Sequence, residues 1–473
     1  MLQFKHGILG GNILQKVPVI KNQEYELGID NLGMNGEGIG RIEGFTMFVP
    51  GALPGEKIRI KAVKVGKSYG YGKLLEVIKP SDQRVNPRCE HAGRCGGCQL
   101  QHMSYSLQLE FKKQLVKDAM ERIGGLENIL IHDTIGMKSP WAYRNKMQFP
   151  VGSIKGKLAI GFYAPRSHNI IDMDSCIIQH SINDKIIRVV RKFMKEFNIK
   201  PYDEIVHKGI VRHIVSRVGL ASGEVMTIIV TNGEALPHGD RLVKRLRKQI
   251  PGIVSIVQNI NPDKTNVILG NRNIVLWGKD HIVEYIGDLK FKISPLSFFQ
   301  VNPVQTAVLY YKAVEYANLT GSEDIIDAYC GIGTISLFMA RKAKKVYGIE
   351  VVPQAIEDAK FNVLENNLYN AEFIEGQAED VLPKLVDEGL KVDVAVVDPP
   401  RKGCDPRLLD ALVHAQPKRI VYVSCNPATL ARDLKYLSDR GYNVQEVQPV
   451  DMFPQTAHVE CIVQIKRAES RMK

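Results

Sequence analysis

The chain has 473 residues, which is long enough for two or three domains that each bury their own core. Lys and Arg outnumber Asp and Glu by 63 to 51, and the net charge of +12 favours a polyanionic partner, either a nucleic acid or an acidic membrane surface. No apolar run approaches the roughly 18 residues that cross a bilayer, and no signal peptide is recognisable, so we expect a cytoplasmic protein. The eight cysteines are too sparse and uneven for a secreted disulfide scaffold.

Residues 16–80 show the pattern of a small β-barrel, in which short alternating segments are separated by Gly and Pro. The segments are 25–29, 45–49, 58–65 and 73–78. Within 57–79, seven basic residues accompany a single acid, Glu76, and Tyr69 and Tyr71 lie among them. Because basic side chains can follow phosphates and aromatic rings can stack on bases, this favours RNA binding. A solvated strand face over core tyrosines is the alternative.

A central region of mixed helices and strands is predicted between residues 81 and 295. It opens with a turn-rich stretch, 84–99, that holds three cysteines, and in a reducing compartment such a cluster indicates a metal or cluster site. The further elements predicted here are helices at 104–123 and 184–197 and strands at 225–230 and 253–258.

From residue 296 onward, short apolar strands alternate with helical segments, which is typical of a doubly wound parallel sheet. The predicted fold class is therefore α/β with a Rossmann-like C-terminal domain. Ligands of such sheets bind beyond the carboxyl ends of the strands. Four strands end there in polar residues, namely Asp327 and its turn, Glu350 after 345–349, Asp398 after 392–397, and Ser424 with Cys425 after 419–423.

The turn after the first strand contains Gly331 and Gly333, a pattern shared by several nucleotide cofactors. A nicotinamide or flavin dinucleotide needs a third glycine where the helix approaches the pyrophosphate, and this chain has Ser336 there. S-adenosylmethionine has no phosphate, and Glu350 is placed to hold ribose hydroxyls, so the residues favour this cofactor. Upstream, Gln300 is free to contact a ligand, although any loop glutamine would look the same.

Asn302 and Pro303 fit the cap and first turn of a helix, and capping is the simplest interpretation of Asn302. The run from Asp398 to Arg401 differs from the Asn-Pro-Pro-Tyr type motif with which amino-group methyltransferases hold a nitrogen. This difference argues against a nitrogen atom as the methyl acceptor.

Cys425 and Glu460 suggest a reaction at a pyrimidine ring. A thiolate that adds to C6 makes C5 nucleophilic enough to take a methyl group, and a general base must then remove the C5 proton. Cys425 follows a strand, where a partly exposed thiol with a lowered pKa is possible, although an inert core cysteine is the alternative. Glu460 lies in a final strand predicted to begin at His458. An apolar pocket would raise the pKa of Glu460, whereas a salt bridge to lysine is the alternative.

Five motifs together resemble the RNA uracil-C5 methyltransferase family over essentially the whole chain. They are 297–302, 327–334, 398–403, 424–433 and 451–460. The resemblance implies transfer of a methyl group from S-adenosylmethionine to C5 of a uridine in RNA, with Cys425 as the nucleophile and Glu460 as the base. It also implies a cofactor pocket formed by Gln300, Tyr329, Glu350 and Asp398.

The cysteines and the barrel extend the resemblance. Segment 16–80 resembles the TRAM domain, an RNA-binding barrel. The resemblance implies four ligands of a [4Fe-4S] cluster, namely Cys89, Cys95, Cys98 and Cys176. From spacing alone, tetrahedral zinc stays open, with His91 or His102 in place of one cysteine. The three cysteines that match neither a ligand position nor the nucleophile are interpreted as packing residues, namely Cys330, Cys404 and Cys461.

Three domains are therefore expected: a TRAM-like barrel at 16–80, a central iron-sulfur domain at 81–295 and a methyltransferase domain at 296–473. Family members with both barrel and cluster mostly resemble 23S ribosomal RNA methyltransferases, which makes that RNA the expected substrate of a monomeric enzyme without a membrane partner. A transfer-RNA uridine methyltransferase and a non-catalytic RNA-binding or assembly protein are the alternatives.

Overall fold

The computed structural model describes residues 17–468. The chain divides into two compact units, one reaching to Asn86 and including His102–Ser104, the other comprising Pro87–Gln101 and the chain from Tyr105 onward. Lys16 of the predicted barrel and residues 469–473 of the predicted methyltransferase domain lie outside the described residues. Within residues 17–468, no helix is long and apolar enough to cross a membrane. The boundaries of the three expected domains stay predictions.

The first unit contains a closed five-stranded barrel, as predicted, with the strand order β1-β2-β3-β5-β4. Its strands are β1 (Glu24–Leu32), β2 (Gly38–Ile42), β3 (Phe45–Val49), β4 (Lys57–Val65) and β5 (Tyr69–Lys79). Alternate residues point inward, so Met47 and Val49 of β3 meet Ile58 and Ile60 of β4 in a core without solvent access. Tyr69 is 45% exposed, and the alternative of core tyrosines is therefore wrong.

The second unit begins with a long helix and a seven-stranded sheet of order β13-β12-β11-β10-β7-β8-β9. Its elements to residue 293 are α1 (Tyr105–Arg122), β6 (Leu130–Ile131), β7 (Lys146–Ile154), β8 (Lys157–Tyr163), β9 (Ile170–Asp172), α2 (Ile182–Glu196), β10 (Val211–Val218), β11 (Val225–Thr231), α3 (Gly239–Gln249), β12 (Ile253–Ile260), β13 (Arg272–Gly278) and the hairpin β14 (Ile282–Ile286) and β15 (Leu289–Ile293). Ile186, Val190 and Phe193 recur at helical spacing and bury one face of α2 in this sheet's core. The predicted helices and strands of this region are confirmed.

An eight-stranded sheet of order β18-β17-β16-β19-β20-β22-β21-β6 forms the rest of the second unit. The elements are α4 (Pro303–Ala317), β16 (Asp324–Ala328), α5 (Thr334–Ala340), β17 (Lys345–Glu350), α6 (Pro353–Asn366), β18 (Ala371–Glu375), α7 (Ala378–Asp387), β19 (Val394–Val397), α8 (Pro406–Ala415), β20 (Arg419–Ser424), α9 (Pro427–Ser438), β21 (Tyr442–Val450) and β22 (Glu460–Arg467). Strands β16 to β20 are parallel, and Ile325 and Ile326 of β16 point into separate cores on the two faces. The predicted doubly wound fold is confirmed.

Helix starts follow closely on strand ends in this sheet. Asn426 immediately precedes α9, its side chain accepts a hydrogen bond from Ala428 N at 3.0 Å, and Pro427 occupies the first turn. The final strand starts later than predicted, at Glu460, because the backbone N–H of His458 is bonded to Thr456 and not to a neighbouring strand. Cys425 and Glu460 consequently both lie at element ends, next to irregular chain.

Candidate active site

A cleft opens at the carboxyl ends of β16 and β19, the point where the order of the parallel strands reverses. Three of the predicted cofactor residues, Gln300, Tyr329 and Asp398, line it. The fourth, Glu350, borders the same turn because its carboxylate accepts a hydrogen bond from Gly331 N at 3.1 Å. The structure thus brings all four residues to one edge of the sheet.

The turn after β16 has an unusual backbone that explains its glycines. Tyr329 adopts a φ of 67° and Gly333 one of 79°. A Cβ at Gly333 would lie 2.6 Å from the Phe373 ring, so this position requires glycine. Ser336 is fully buried and its hydroxyl donates to Asp327. In dinucleotide-binding folds the third glycine lets the helix pack closely on the strand, and a buried serine bonded to Asp327 in its place speaks against a dinucleotide.

Asp327 is a further residue of the site, although in the sequence it stands out only as the start of a motif. It is 1% exposed, and its Oδ1 accepts no hydrogen bond from the described residues. Burial raises the pKa of Asp327 to about 7; the hydrogen bond from Ser336 opposes the shift and Asp398 adds to it. A buried carboxylate oxygen without a donor, on the wall of a cleft, suits a cationic N–H donor such as the amino group of S-adenosylmethionine.

Asn302 has the capping role predicted for it. Its Oδ1 accepts from Gln305 N at 3.3 Å, and its Nδ2 donates to Met452 O at 3.0 Å. The neighbouring Gln300 is 7% exposed, and its carbonyl accepts from Asn145 Nδ2 at 3.1 Å. The segment that brings Gln300 to the cleft is therefore anchored on both sides.

Cys425 and Glu460 meet at the end of an antiparallel strand pair. In this antiparallel pair Ser424 of β20 lies opposite Cys461 of β22. Cys425 follows Ser424 and Glu460 precedes Cys461, so both lie just beyond this last pair. Glu460 is close enough to Cys425 for its charge to raise the pKa of the thiol. Cys425 is partly exposed, whereas Glu460 is 3% exposed. The predicted nucleophile and base are thus neighbours, with the thiol accessible.

Burial and nearby charges raise the pKa values of both Cys425 and Glu460. Burial raises the pKa of the Cys425 thiol to about 11; Glu460 and Asp398 add to the shift and Arg401 opposes it. The lowered thiol pKa considered possible at this strand end is therefore not found, because burial and the two carboxyl groups outweigh the one guanidinium. Burial also raises the pKa of Glu460 well above its ordinary value, with Asp398 adding to it, so the predicted direction for Glu460 is confirmed. Burial raises the pKa of Asp398 itself to about 7.

The loop after β19 is tied to the start of α9. The carbonyl of Arg401 accepts from Asn426 Nδ2 at 3.1 Å. Asp433, fully buried in α9, accepts from Cys404 N at 2.8 Å and from Tyr422 OH at 2.6 Å. These bonds hold Arg401 beside the thiol. In the sequence, Arg401 only argues against a nitrogen acceptor, and no local pattern reveals its place next to the nucleophile.

The segment between β21 and β22 leads into Glu460 and is held by side chains of α1. Gln108 Nε2 donates to Gln455 Oε1 at 3.1 Å, and Gln455 N donates back to Gln108 Oε1 at 3.0 Å. Lys112 of the same helix forms an ion pair with Asp451 in which neither side chain is exposed. The position of Glu460 therefore depends on a helix that is distant in sequence.

The four cysteines expected to hold a cluster line one cavity of about 350 Å³. Burial raises the pKa of Cys98 to about 11 and that of Cys176 to about 12, and neighbouring cysteines, Cys89 and Cys95 among them, add to both shifts. The backbone N–H of Gly97 donates to Cys95 Sγ at 3.4 Å. The four thiols are thus close enough to influence one another.

Across residues 17–468, no group of three or more His, Cys, Asp or Glu side chains is placed to hold a metal ion. The expected iron-sulfur domain is therefore not shown. Tetrahedral zinc would need thiol sulfurs about 3.8 Å apart, so the zinc alternative is without support as well. His91 lines the cysteine cavity, whereas His102 is not among its lining residues.

The sequence matches known families over most of its length. The family profile described as tRNA (Uracil-5-)-methyltransferase matches residues 272–468, and the TRAM domain matches 18–75. An uncharacterized RNA methyltransferase of Clostridium tetani is 55% identical over 447 residues, which are 94% of this chain and 97% of that protein. Another, of Halalkalibacterium halodurans, is 54% identical over 448 residues, 95% of this chain and 98% of that protein. The chain belongs to the RNA uracil-C5 methyltransferase family.

A solved structure agrees with this assignment. The tRNA (uracil-54, C5)-methyltransferase of Pyrococcus abyssi, in complex with S-adenosyl-L-homocysteine, has a TM-score of 0.76 and 32% identity, covering 93% of this chain and 100% of that chain. The present RNA uracil-C5 methyltransferase is thus an S-adenosylmethionine-dependent enzyme that acts on RNA.

In this RNA uracil-C5 methyltransferase, the predicted catalytic and cofactor residues converge on one edge of the C-terminal sheet, and their individual roles stay predictions. The cysteines interpreted as packing residues are buried, with exposed fractions of 5%, 3% and 0% for Cys330, Cys404 and Cys461. Asp327 and Arg401 are the additions that the structure makes to the predicted site.

Proposed function

We propose that the enzyme methylates C5 of a uridine through a covalent bond between Cys425 and C6 of the base, and that Glu460 removes the C5 proton. The observation that supports this most strongly is the juxtaposition of one accessible thiol and one buried carboxyl group at the ends of β20 and β22. Asp398 links this pair to the cofactor cleft, since it lines the cleft and acts on the pKa of both residues.

The raised pKa values suggest an order of proton transfers. Bound S-adenosylmethionine supplies the methyl group as an electrophile. Cys425 is protonated at neutral pH; as its sulfur adds to C6, the ionised Asp398 takes the thiol proton and the charge of Arg401 favours the thiolate. Once C5 carries the methyl group, Glu460 takes the C5 proton, the C6–S bond breaks and Asp398 returns its proton to sulfur. Its raised pKa makes ionised Glu460 a stronger base.

For cofactor binding we propose Gln300, Tyr329, Glu350 and Asp398, together with Asp327 for the amino group. The Oε2 of Glu350 accepts a hydrogen bond from Gly331 N at 3.1 Å, and its Oε1 accepts one from Val352 N at 2.9 Å. Both oxygens keep a lone pair for a ribose hydroxyl.

Tritium release from RNA that carries [5-³H]uridine tests these roles. The wild type is expected to release tritium, and Cys425→Ala to release none. Glu460→Gln is expected to transfer the methyl group and remain bound to the RNA, because the adduct cannot lose the C5 proton. Glu446→Gln, on the adjacent strand β21, is the matched control and should behave as wild type. Tritium release by Cys425→Ala would contradict the proposal.

For the substrate we propose 23S ribosomal RNA. This proposal rests on the combination of the barrel with the cysteine pattern, which resembles that of 23S ribosomal RNA methyltransferases. Transfer RNA is the second candidate, favoured by the similarity to the Pyrococcus abyssi enzyme, which matches 93% of this chain. Incubation of unmodified 23S RNA and transfer RNA with labelled cofactor separates the two. Labelling confined to transfer RNA would contradict the first choice. That the enzyme is a monomer stays a prediction, which light scattering can test.

We also propose that Cys89, Cys95, Cys98 and Cys176 hold a [4Fe-4S] cluster. In such a cluster each thiolate binds a different iron, so the four sulfurs stand further apart than around one ion, and a shared cavity of about 350 Å³ fits this arrangement. The cluster would serve fold and RNA docking, because methyl transfer moves no net electrons. Anaerobically purified protein should contain iron and sulfide, Cys98→Ser should lose them and Cys404→Ser should retain them. Zinc in place of iron would contradict this proposal.

A further inference from the structure

The barrel carries three aromatic rings in contact with one another. Strands β3 and β5 pair in parallel, with Phe48 opposite Tyr71 and Thr46 opposite Tyr69. The ring centroids of Phe48, Tyr69 and Tyr71 are 5.6 to 6.0 Å apart. Tyr69 is 45% exposed and the other two rings are partly exposed. We refer to these three residues as the aromatic row.

The backbone of β5 forces the tyrosines to the outside of the barrel. The glycines that alternate with them, Gly70 and Gly72, face the interior. A Cβ at Gly70 would lie 2.9 Å from Met47 Sδ, and one at Gly72 would lie 2.5 Å from Ile60 Cδ1. The interior has no room for side chains at these positions, and strand alternation places the rings on the opposite face. The aromatic row therefore adds nothing to the barrel core, which packs without it.

The charge around the aromatic row is not neutralised by acids. Glu26 and Glu76 pair with Lys57 and Arg59, at 3.0 Å for the closest contacts. Among the other basic residues of the barrel, those that form no ion pair within residues 17–468 include Arg41, Lys61, Lys64 and Lys73.

Strand register places these unpaired charges around the rings. Lys64 lies opposite Tyr71, and Lys61 lies opposite Lys73, which follows the two tyrosines on β5. Arg41 lies opposite Thr46, the residue that pairs with Tyr69. Exposed rings are thus flanked by cations on both sides.

We propose that the aromatic row is a stacking platform for the unpaired bases of a single-stranded segment of the RNA substrate. Ring faces stack on bases of any sequence only where the bases are unpaired, and the flanking cations hold the phosphates on either side. A duplex hides its base faces and would use the cations alone. This inference deepens the proposed RNA binding and needs no assumption about the catalytic residues.

Binding of two short RNAs to the full-length enzyme tests the platform. One probe is a fluorescent single strand of about 12 nucleotides, within the site sizes usual for such surfaces, and the other is a blunt-ended duplex in which every base is paired. Tyr69→Leu keeps an apolar side chain but removes the ring, whereas Tyr69→Phe keeps the ring. Leu75→Ala, which removes a side chain that is 42% exposed on the same strand, is the matched control.

Tyr69→Leu is expected to weaken single-strand binding by roughly fivefold to a hundredfold, the range for one stacked base, whereas Tyr69→Phe and Leu75→Ala should bind as wild type. The salt dependence of binding should be unchanged in Tyr69→Leu and shallower in Lys64→Gln, since only the lysine releases counterions. Equal binding by the Leu and Phe variants, or equal competition by the duplex, would overturn the platform. Absence of methyl transfer by the wild type would refute the proposed reaction and leave this binding result in place.

Discussion

Replacing Lys112 by Met breaks an ion pair whose two side chains are both completely buried. In the variant, the Asp451 carboxylate still accepts the hydrogen bond from the hydroxyl of Tyr105, at 2.7 Å, but it no longer has a cation as its partner. The carbonyl of Phe453 also loses its bond to Lys112 Nζ at 3.1 Å. The segment that leads from β21 to Glu460 thus loses its bonds to Lys112 and keeps those of Gln455 to Gln108.

A buried charge that loses its partner typically costs about 3–5 kcal/mol of folding free energy. At 1.4 kcal/mol per factor of ten, the unfolding equilibrium constant should rise by about 10² to 10³·⁵. Lys113→Met is the matched control, because Lys113 is the next residue of α1 and pairs at 2.8 Å with Asp133, which is 96% exposed. An exposed pair of this kind contributes less than about 1 kcal/mol.

Urea unfolding of the intact enzyme, monitored by limited proteolysis, measures the change in the free energy of unfolding for both variants. We expect a large decrease in the free energy of unfolding for Lys112→Met and a small one for Lys113→Met. Adding Asp451→Leu to Lys112→Met should recover most of the loss, since the stranded charge is then gone. Lys112→Met should also lower tritium release, because the segment leading to Glu460 has lost its bonds to Lys112, whereas Lys113→Met should release tritium as the wild type does. Equal destabilisation by Lys112→Met and Lys113→Met would refute the reasoning.

Two further predictions concern protons. Binding of the positively charged cofactor should release protons near pH 6.5, because it lowers a pKa of Asp327 that is about 7 in the free enzyme, so affinity falls as the pH drops below 7; calorimetry in two buffers measures the release, and an unchanged release in Asp327→Asn contradicts the assignment. Single-turnover methylation at saturating cofactor should lose rate as the pH falls below about 7, because Asp398, whose pKa burial raises to about 7, must be ionised to take the Cys425 proton; Asp398→Asn should be slow at every pH and lack this acid limb, and a limb that persists unchanged in the variant contradicts the assignment.

The barrel shows where sequence patterns succeed and fail. Strands with alternating apolar residues, such as β3 and β4, were predicted, whereas β2 was missed. A Cβ at Gly40 would lie 2.2 Å from the carbonyl oxygen of Gly28, and one at Gly38 would lie 2.9 Å from Ala52. The close strand contacts that require these glycines remove the alternation on which the prediction depends.

The site was predictable as a set of residues but not as an arrangement. Strand ends and motifs identify Cys425 and Glu460, yet their contact depends on the antiparallel register of β20 and β22, which no local pattern encodes. The strand-end position does not reveal that the pKa of Cys425 is raised, because the shift comes first from burial in the folded chain and then from Glu460 and Asp398, which lie on or after other strands. The pair of Lys112 and Asp451 spans 339 residues and carries no local signal at all.

RNA that contains 5-fluorouridine at the target position tests the central claim most directly. After methyl transfer to such a base, C5 carries fluorine and a methyl group and has no proton for Glu460 to remove, so the bond to Cys425 cannot be broken by elimination. With S-adenosylmethionine present, we predict a protein–RNA complex that survives denaturing electrophoresis, maps to the Cys425 peptide and is absent in Cys425→Ser. Release of a methylated fluorouridine product without a complex, or a complex formed equally by Cys425→Ser, would contradict the account.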